Sequence, residues 1–438
     1  MKKYILLTIV LALSFSFTID AQNNAKRIYS LSDIIKETIE NNILIKQKSD
    51  ELKAARFRID QQKSFYLPTV GAEASYTLIG PIPAFSFGGQ NLELAPANNY
   101  NMGIYIHQTL YDFGKRDLQT DLVSSQTSSI EDSRQLIKNE LSAQAVRSFY
   151  SILFLENSIA VKDTQLASLK EHLRTIELKI KNGTATDYDV LSTKTRMIEI
   201  QNEQADLKNE KYKQEIVLKE LINMDRKNEL KIAGDFSLPR SPLNQDSLEA
   251  AAFKNRNEIK IAADYKNSAA IQKDLIAHLD KPVISGDAGY GFKNGYEPNI
   301  DVLRGNWFFK FSLGLPVFNG YLTDNRLNEA AINIDMADKK IQQLKENIST
   351  EVYQSENDLR SNLAKVNIIK EQIDLASKSL ERARIQYERG AGTNLEVLDA
   401  ETMLTQARLF LLQAEFKSLV SFYSLHRAVG DLNTLFKY

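Results

Sequence analysis

The sequence predicts a mainly α-helical chain with a transmembrane β-barrel portion: tandem repeats of long coiled-coil helices, each protomer adding four strands to a shared barrel of about 12. Three observations predict it. Two stretches of nearly equal length, Lys115 to Asn182 and Tyr321 to Arg389, contain neither proline nor glycine. Four segments alternate apolar and polar residues over roughly the 9 to 11 positions that a tilted membrane strand needs. The same order of elements occurs twice.

The N-terminus sets the compartment. Lys2 and Lys3 precede an uncharged, mainly apolar run from Tyr4 to Ile19, followed by Asp20, Ala21 and Gln22. This is the pattern of a secretory signal peptide, expected to span residues 1–21. With no cysteine in the chain there is no disulfide framework, no thiolate metal site and no acceptor for an N-terminal acyl anchor. The net charge is −1, about −2 without the signal segment's two Lys and one Asp, so the basic footprint of a nucleic-acid binder is missing. Beyond the signal no uninterrupted apolar run approaches the ~20 residues of a spanning helix. Entry into a membrane must then be by strands.

The repeat organises the rest. Gly183–Leu191 (GTATDYDVL) aligns without a gap with Gly390–Leu398 (GAGTNLEVL), Tyr66–Gly71 with Asp280–Ser285, and Leu110–Gly114 (LYDFG) with Pro316–Gly320 (PVFNG). The expected units are a first repeat, 22–227, a polar, proline-bearing join, 228–246, and a second repeat, 247–438. In each, a helix leads to two strands, a very long helix, a turn and a further helix. Leu166, Leu169, Leu173, Ile176 and Ile180 step by threes and fours, as do Ile373, Ala376, Leu380, Ala383 and Tyr387, which is the seam of a coiled coil. Each long helix would measure ~100 Å. The shorter ones, about 32–65, 187–223, 246–279 and 394–429, are half as long, so two stacked end to end would match one long helix.

The strands are expected at about 66–79, 100–112, 282–293 and 305–317. Val70, Ala72, Ala74, Tyr76 and Leu78 share one face, and Trp307, Phe309, Phe311, Leu313, Leu315 and Val317 form another opposite Lys310 and Ser312. Gln108 interrupts the pattern of Met102 to Leu110. Strands half-buried on a soluble core also alternate, but long heptad-bearing rods leave no helix face shaped to cover such a sheet. Four strands cannot close in hydrocarbon, where an open edge leaves backbone groups unpaired, and three protomers sharing one barrel leave room for a lumen.

These residues resemble the TolC-like outer membrane efflux family over essentially the whole mature chain. The resemblance is carried by Asn41–Ile45 and Asn255–Ile259 near helix ends, the strand entry Leu67-Pro68, the corner Leu110–Gly114, and the helical tips with Val190-Leu191 and Val397–Ala400. It implies a homotrimer in outer-membrane lipid with a long periplasmic extension: the channel tunnel of a tripartite efflux or type I secretion system. Such a duct passively conducts what an inner-membrane pump and a periplasmic adaptor (membrane fusion protein) deliver. It also implies roles at the tips. Glu396 and Asp399 match carboxylates lining the closed aperture, Tyr387 a constricting aromatic, and Asp189 the acidic partner of an inter-helix latch whose arginine position is here Gly392, with Arg389 a turn away. Gly183, Thr184, Gly390, Gly392 and Thr393 fall in the adaptor-contact turns.

The tip carboxylates have a plainer reading too, since Thr186-x-x-Asp189 and Thr393-x-x-Glu396 both fit the capping box. Asp399, past the first turn, needs no such explanation. His107, His172, His278 and His426 show no metal-ligand spacing and read as solvated or helix-surface residues. Gly80 to Pro96 reads as an extracellular loop. No nucleophile-base pair, phosphate loop or metal constellation suggests an enzyme, and nothing calls for a cofactor. A periplasmic coiled-coil adaptor would share the hairpins and tandem halves but lack the four strands.

Overall fold

In the computed structural model the described residues are 27–238 and 247–436; the signal segment and the end of the 228–246 join lie outside them. The chain runs β1 (Ile28–Tyr29), α1 (Leu31–Asn41), α2 (Ile43–Ser64), β2 (Thr69–Leu78), β3 (Ala84–Phe87), β4 (Gln90–Glu93), β5 (Asn98–Tyr111), α3 (Lys115–Lys181) and α4 (Asp187–Leu221). It continues through β6 (Lys231–Ile232), α5 (Leu248–Asn255), α6 (Asn257–Ala277), β7 (Val283–Lys293), β8 (Arg304–Gly314), α7 (Leu322–Glu388) and α8 (Asn394–Val429), ending in a 3-10 turn, Leu432–Phe436.

The rods α3 and α7 have 67 residues each. The sheet-proximal half of α3 meets α2 and α6, where Arg134 donates to Ser49 and Ser125 to the Asp264 carbonyl. Its far half meets α4 and α8, through Lys211–Glu156 and the Ser168–Glu401 hydrogen bond. Along α7 the order is the same: Lys266 of α6 pairs with Asp338, and further down Asn362 bonds Ser421 of α8. Short helices are thus stacked in pairs beside each long one.

Where they stack, the structure departs from the predicted unbroken helices 32–65 and 246–279. Each is interrupted at one extended residue, Asn42 (ψ 131°) and Arg256 (ψ 123°). The cause is tertiary. Asn42 accepts from the Leu44 N–H while its amide donates to the Leu221 carbonyl at 2.9 Å, and the Arg256 guanidinium donates to the Ala428 carbonyl at 3.1 Å. Each break residue satisfies a carbonyl that the end of the abutting helix leaves without an intrahelical partner.

Mid-rod, α1, α3, α4 and α8 close around Ile34, Ile35, Phe149, Ile152, Leu218, Leu419 and Phe422. β1 runs parallel to β6 beside this core, pairing Ile28 with Lys231 and Tyr29 with Ile232. The main sheet is antiparallel in the order β2-β5-β7-β8. Among the described residues β2 and β8 are paired on one side only, and no helix is long and apolar enough to cross a membrane. Two details differ from expectation. The 80–96 loop contains its own hairpin, β3–β4, turned by Gly88 and Gly89 at positive φ. β8 stops at Gly314, so Leu315 and Val317 fall in the run to α7.

Candidate functional site

Two regions carry chemistry: the sheet and the tips at the opposite end of the rods. Cross-strand register sorts the sheet's faces. Val70, Ile106, Ala288 and Phe309 form one row, and Ala72, Ile104, Tyr290 and Trp307 the next. Every Asp, Glu, Lys, Arg and His of the four strands falls on the other face: Glu73, His107, Asp287, Lys293, Arg304 and Lys310. Trp307, Phe309, Phe311 and Leu313 are 71, 72, 78 and 69% exposed, so nothing among the described residues covers the apolar face. A contiguous greasy wall backed by a charged one is the dyad pattern of a transmembrane barrel. Gln108 donates to the Thr109 carbonyl at 2.8 Å beside the register shift between Thr109 and Tyr111, so the interruption falls where regular pairing ends.

At the tips the two repeats build the same turn. Gly183 (φ 71°) and Gly390 (φ 74°) take the left-handed position after α3 and α7. Gly183 donates to Ile180 and Thr184 to Lys179, and Gly390 to Tyr387 and Ala391 to Gln386, the paired bonds of a Schellman ending. Thr186 and Thr393 then start α4 and α8 with complete capping boxes closed by Asp189 and Glu396. A Cβ on Gly392 would sit 3.0 Å from Glu396 Oε2 and 3.1 Å from Gln386 Cβ, so a larger residue there would press on the cap. Asp399 is exposed one turn on and makes no hydrogen bond or ion pair among the described residues. It lines a groove between α4 and α8 with Tyr188, Leu191, Arg196 and Leu395.

Tyr387 does not project from the tip. It is 6% exposed, packed with Ile176, Leu380, Val397 and Leu404, its ring edge-on to His172 at 5.0 Å. Burial, then the nearby Asp189, raises its pKa, so the hydroxyl stays protonated.

The sequence reading missed the polar groups beneath. His172, read as a surface residue, is 7% exposed, and its Nε2 lies 2.7 Å from Asn394 Oδ1. The buried Asn394 amide donates to Ser192 Oγ (3.0 Å), Thr193 Oγ1 (3.3 Å) and the Asp189 carbonyl (3.3 Å). One side chain thereby ties α8 to both α3 and α4. Two turns on, Glu401 is bonded by Ser168 (2.7 Å) and Arg384 (2.9 Å), linking α3, α7 and α8. His426, also read as superficial, is 2% exposed and paired with Asp431 at 2.8 Å. Helical spacing could have flagged His172, which lies four residues before the seam residue Ile176.

Burial is the main cause lowering the His172 pKa from its usual 6.5. A folded-state pKa below the unfolded one means that its contribution is whole above about pH 6.5 and is lost as pH falls toward the folded value. Protection factors at 172–200 and 387–400, corrected for the intrinsic slowing of amide exchange at lower pH, are expected to fall from pH 7 to 5, more in wild type than in His172→Gln. An equal fall in both would remove His172 as the cause.

A family model described as outer membrane efflux protein matches residues 34–224 and 251–431. The chain belongs to the outer membrane efflux protein family. It is 20% identical to the outer membrane protein TolC of Salmonella enteritidis, over 99% of this chain and 87% of that protein. It is 20% identical to the cation efflux system protein CusC of Escherichia coli O157:H7, over 91% and 85%. The Campylobacter jejuni CmeC outer membrane channel superposes with a TM-score of 0.78 over 92% of this chain and 86% of that one, at 15% identity. This outer membrane efflux protein is therefore an outer-membrane efflux channel, and the adaptor reading is not favoured.

Proposed function

We propose that three copies of this chain form one non-catalytic duct, their sheets joined edge to edge as a barrel of about 12 strands and their rods as a periplasmic tunnel. The carrying observation is the segregated sheet with β2 and β8 unpaired at its edges. In hydrocarbon each such edge would strand a row of backbone donors and acceptors, and closing three copies into a ring pairs β2 of each with β8 of the next so that no edge remains. In this reading residues 1–21 direct export, the repeats 22–227 and 247–438 flank the 228–246 join, and a periplasmic adaptor engages Gly183, Thr184, Gly390, Gly392 and Thr393 beneath an inner-membrane pump. Mass measurement of the detergent-purified protein is expected to give a trimer; a monodisperse monomer with native helix content refutes it.

Asp399 and Glu396 then face the aperture as rings of three like charges each, while Asp189 and Tyr387 act within the protomer, as a cap and a packing ring. Glu396 is engaged by its capping box, whereas Asp399 is free, so Asp399→Asn is the cleaner probe. In planar bilayers Asp399→Asn is expected to lower cation selectivity and weaken block by multivalent cations from the periplasmic side. Unchanged selectivity and block would leave Asp399 a helix-surface residue.

A further inference from the structure

The charged face of the sheet carries an aromatic shelf. Register places Tyr105 and Phe308 on either side of Gly289, their ring centroids 6.3 Å apart and tilted by 38°. A Cβ on Gly289 would collide with Phe308 Cε1 and lie 3.0 Å from Tyr105 Cδ1. The glycine therefore leaves the space above its backbone to the two rings. Asn101 donates to the Tyr105 hydroxyl at 3.3 Å, and Phe308 remains 39% exposed.

The adjoining row supplies charge. His107 and Asp287 are paired at 2.7 Å. Lys310, across from Asp287, makes no ion pair or hydrogen bond among the described residues. Rings, pair and lysine line one concavity of about 520 Å³.

We propose that this concavity is a contact site for planar aromatic anions passing through the barrel. The proposal rests on the charged face being the lumen of the proposed duct. A planar ring system stacks on the faces of Tyr105 and Phe308, as aromatic pairs do in offset or tilted arrangements, while its carboxylate or sulfonate meets the Lys310 ammonium. The sign follows from the charges on the face, which carries Lys293, Arg304 and Lys310 against Glu73 and Asp287, three cations to two anions, and Lys310 is the cation at the concavity. An aromatic cation would stack equally well but would meet that lysine with like charge.

The probe is 2-naphthoate, its fluorescence followed on titration with the full-length detergent-purified protein, alongside cyclohexanecarboxylate and naphthylmethylammonium. Saturable binding of naphthoate, with the other two much weaker, is the expected result. Phe308→Leu should weaken it roughly three- to tenfold, and Lys310→Gln about two- to fivefold at low ionic strength, the latter difference fading at high salt. Lys310→Gln alters an exposed, unpartnered side chain, which keeps the test open if Phe308→Leu fails to assemble. Wild-type affinity in both variants, or equal binding of cyclohexanecarboxylate, overturns the site. Conductance of the same preparation separates the two readings: conducting channels without naphthoate binding overturn the site alone, whereas binding by protein that forms no channels overturns its placement in a conducting lumen.

Discussion

Phe311→Lys is expected to keep the sheet out of the bilayer, whereas Ser312→Lys, one residue along the same strand, is expected to be tolerated. Phe311 stands opposite Gly286 on the apolar face and is 78% exposed. A lysine on that face near the midplane costs about 2 to 4 kcal/mol per chain, and a shared barrel repeats the penalty in every protomer. Ser312 stands opposite Ser285 on the face that already holds Lys310, where an ammonium remains hydrated. Heat-modifiable migration and recovery in the outer-membrane fraction measure the difference. Equal damage from the two substitutions would mean that the faces are assigned wrongly.

That contrast rests on a pattern legible in the sequence, because strand periodicity is local: alternate residues share a face whatever the strand packs against. The long helices were legible for a similar reason. Helix formation needs an unbroken run of competent residues and a stop, and Gly183 and Gly390 supply the stops at their left-handed turns. What escaped was tertiary. Neither Asn42 nor Arg256 is a strong helix breaker, and each departs from helical geometry because a carbonyl of another helix lies within reach. The burial of Tyr387 and His172 likewise depends on which helices converge below the tip. Their neighbours Asn394 and Glu401 come from more than 200 residues beyond His172 and Ser168. The capping boxes at Asp189 and Glu396 lay between these cases: a three-residue spacing suggests them, and only the turn geometry makes them form.

Arg384→Met should be the most damaging single change below the tip. The Glu401 side chain is 5% exposed, and its carboxylate is held by Arg384 from α7 and Ser168 from α3. Removing the guanidinium leaves a buried carboxylate with one neutral donor, and breaking a buried pair from one side typically costs about 3 to 5 kcal/mol. Arg384 is itself 39% exposed, so solvent will reach the vacated space and the lower end, about 3 kcal/mol, is expected. Glu401→Gln should cost less, because the amide keeps an acceptor for Ser168 and leaves the arginine half in water. Combining the two should recover much of the loss, since the double variant buries no unpaired charge. Amide-exchange protection over 165–180 and 380–404 reports this region without requiring the whole assembly to unfold reversibly. If Arg384→Met and the double variant lose equal protection, the arginine contributes through its aliphatic packing and not through its charge, and the three-helix tie is not electrostatic.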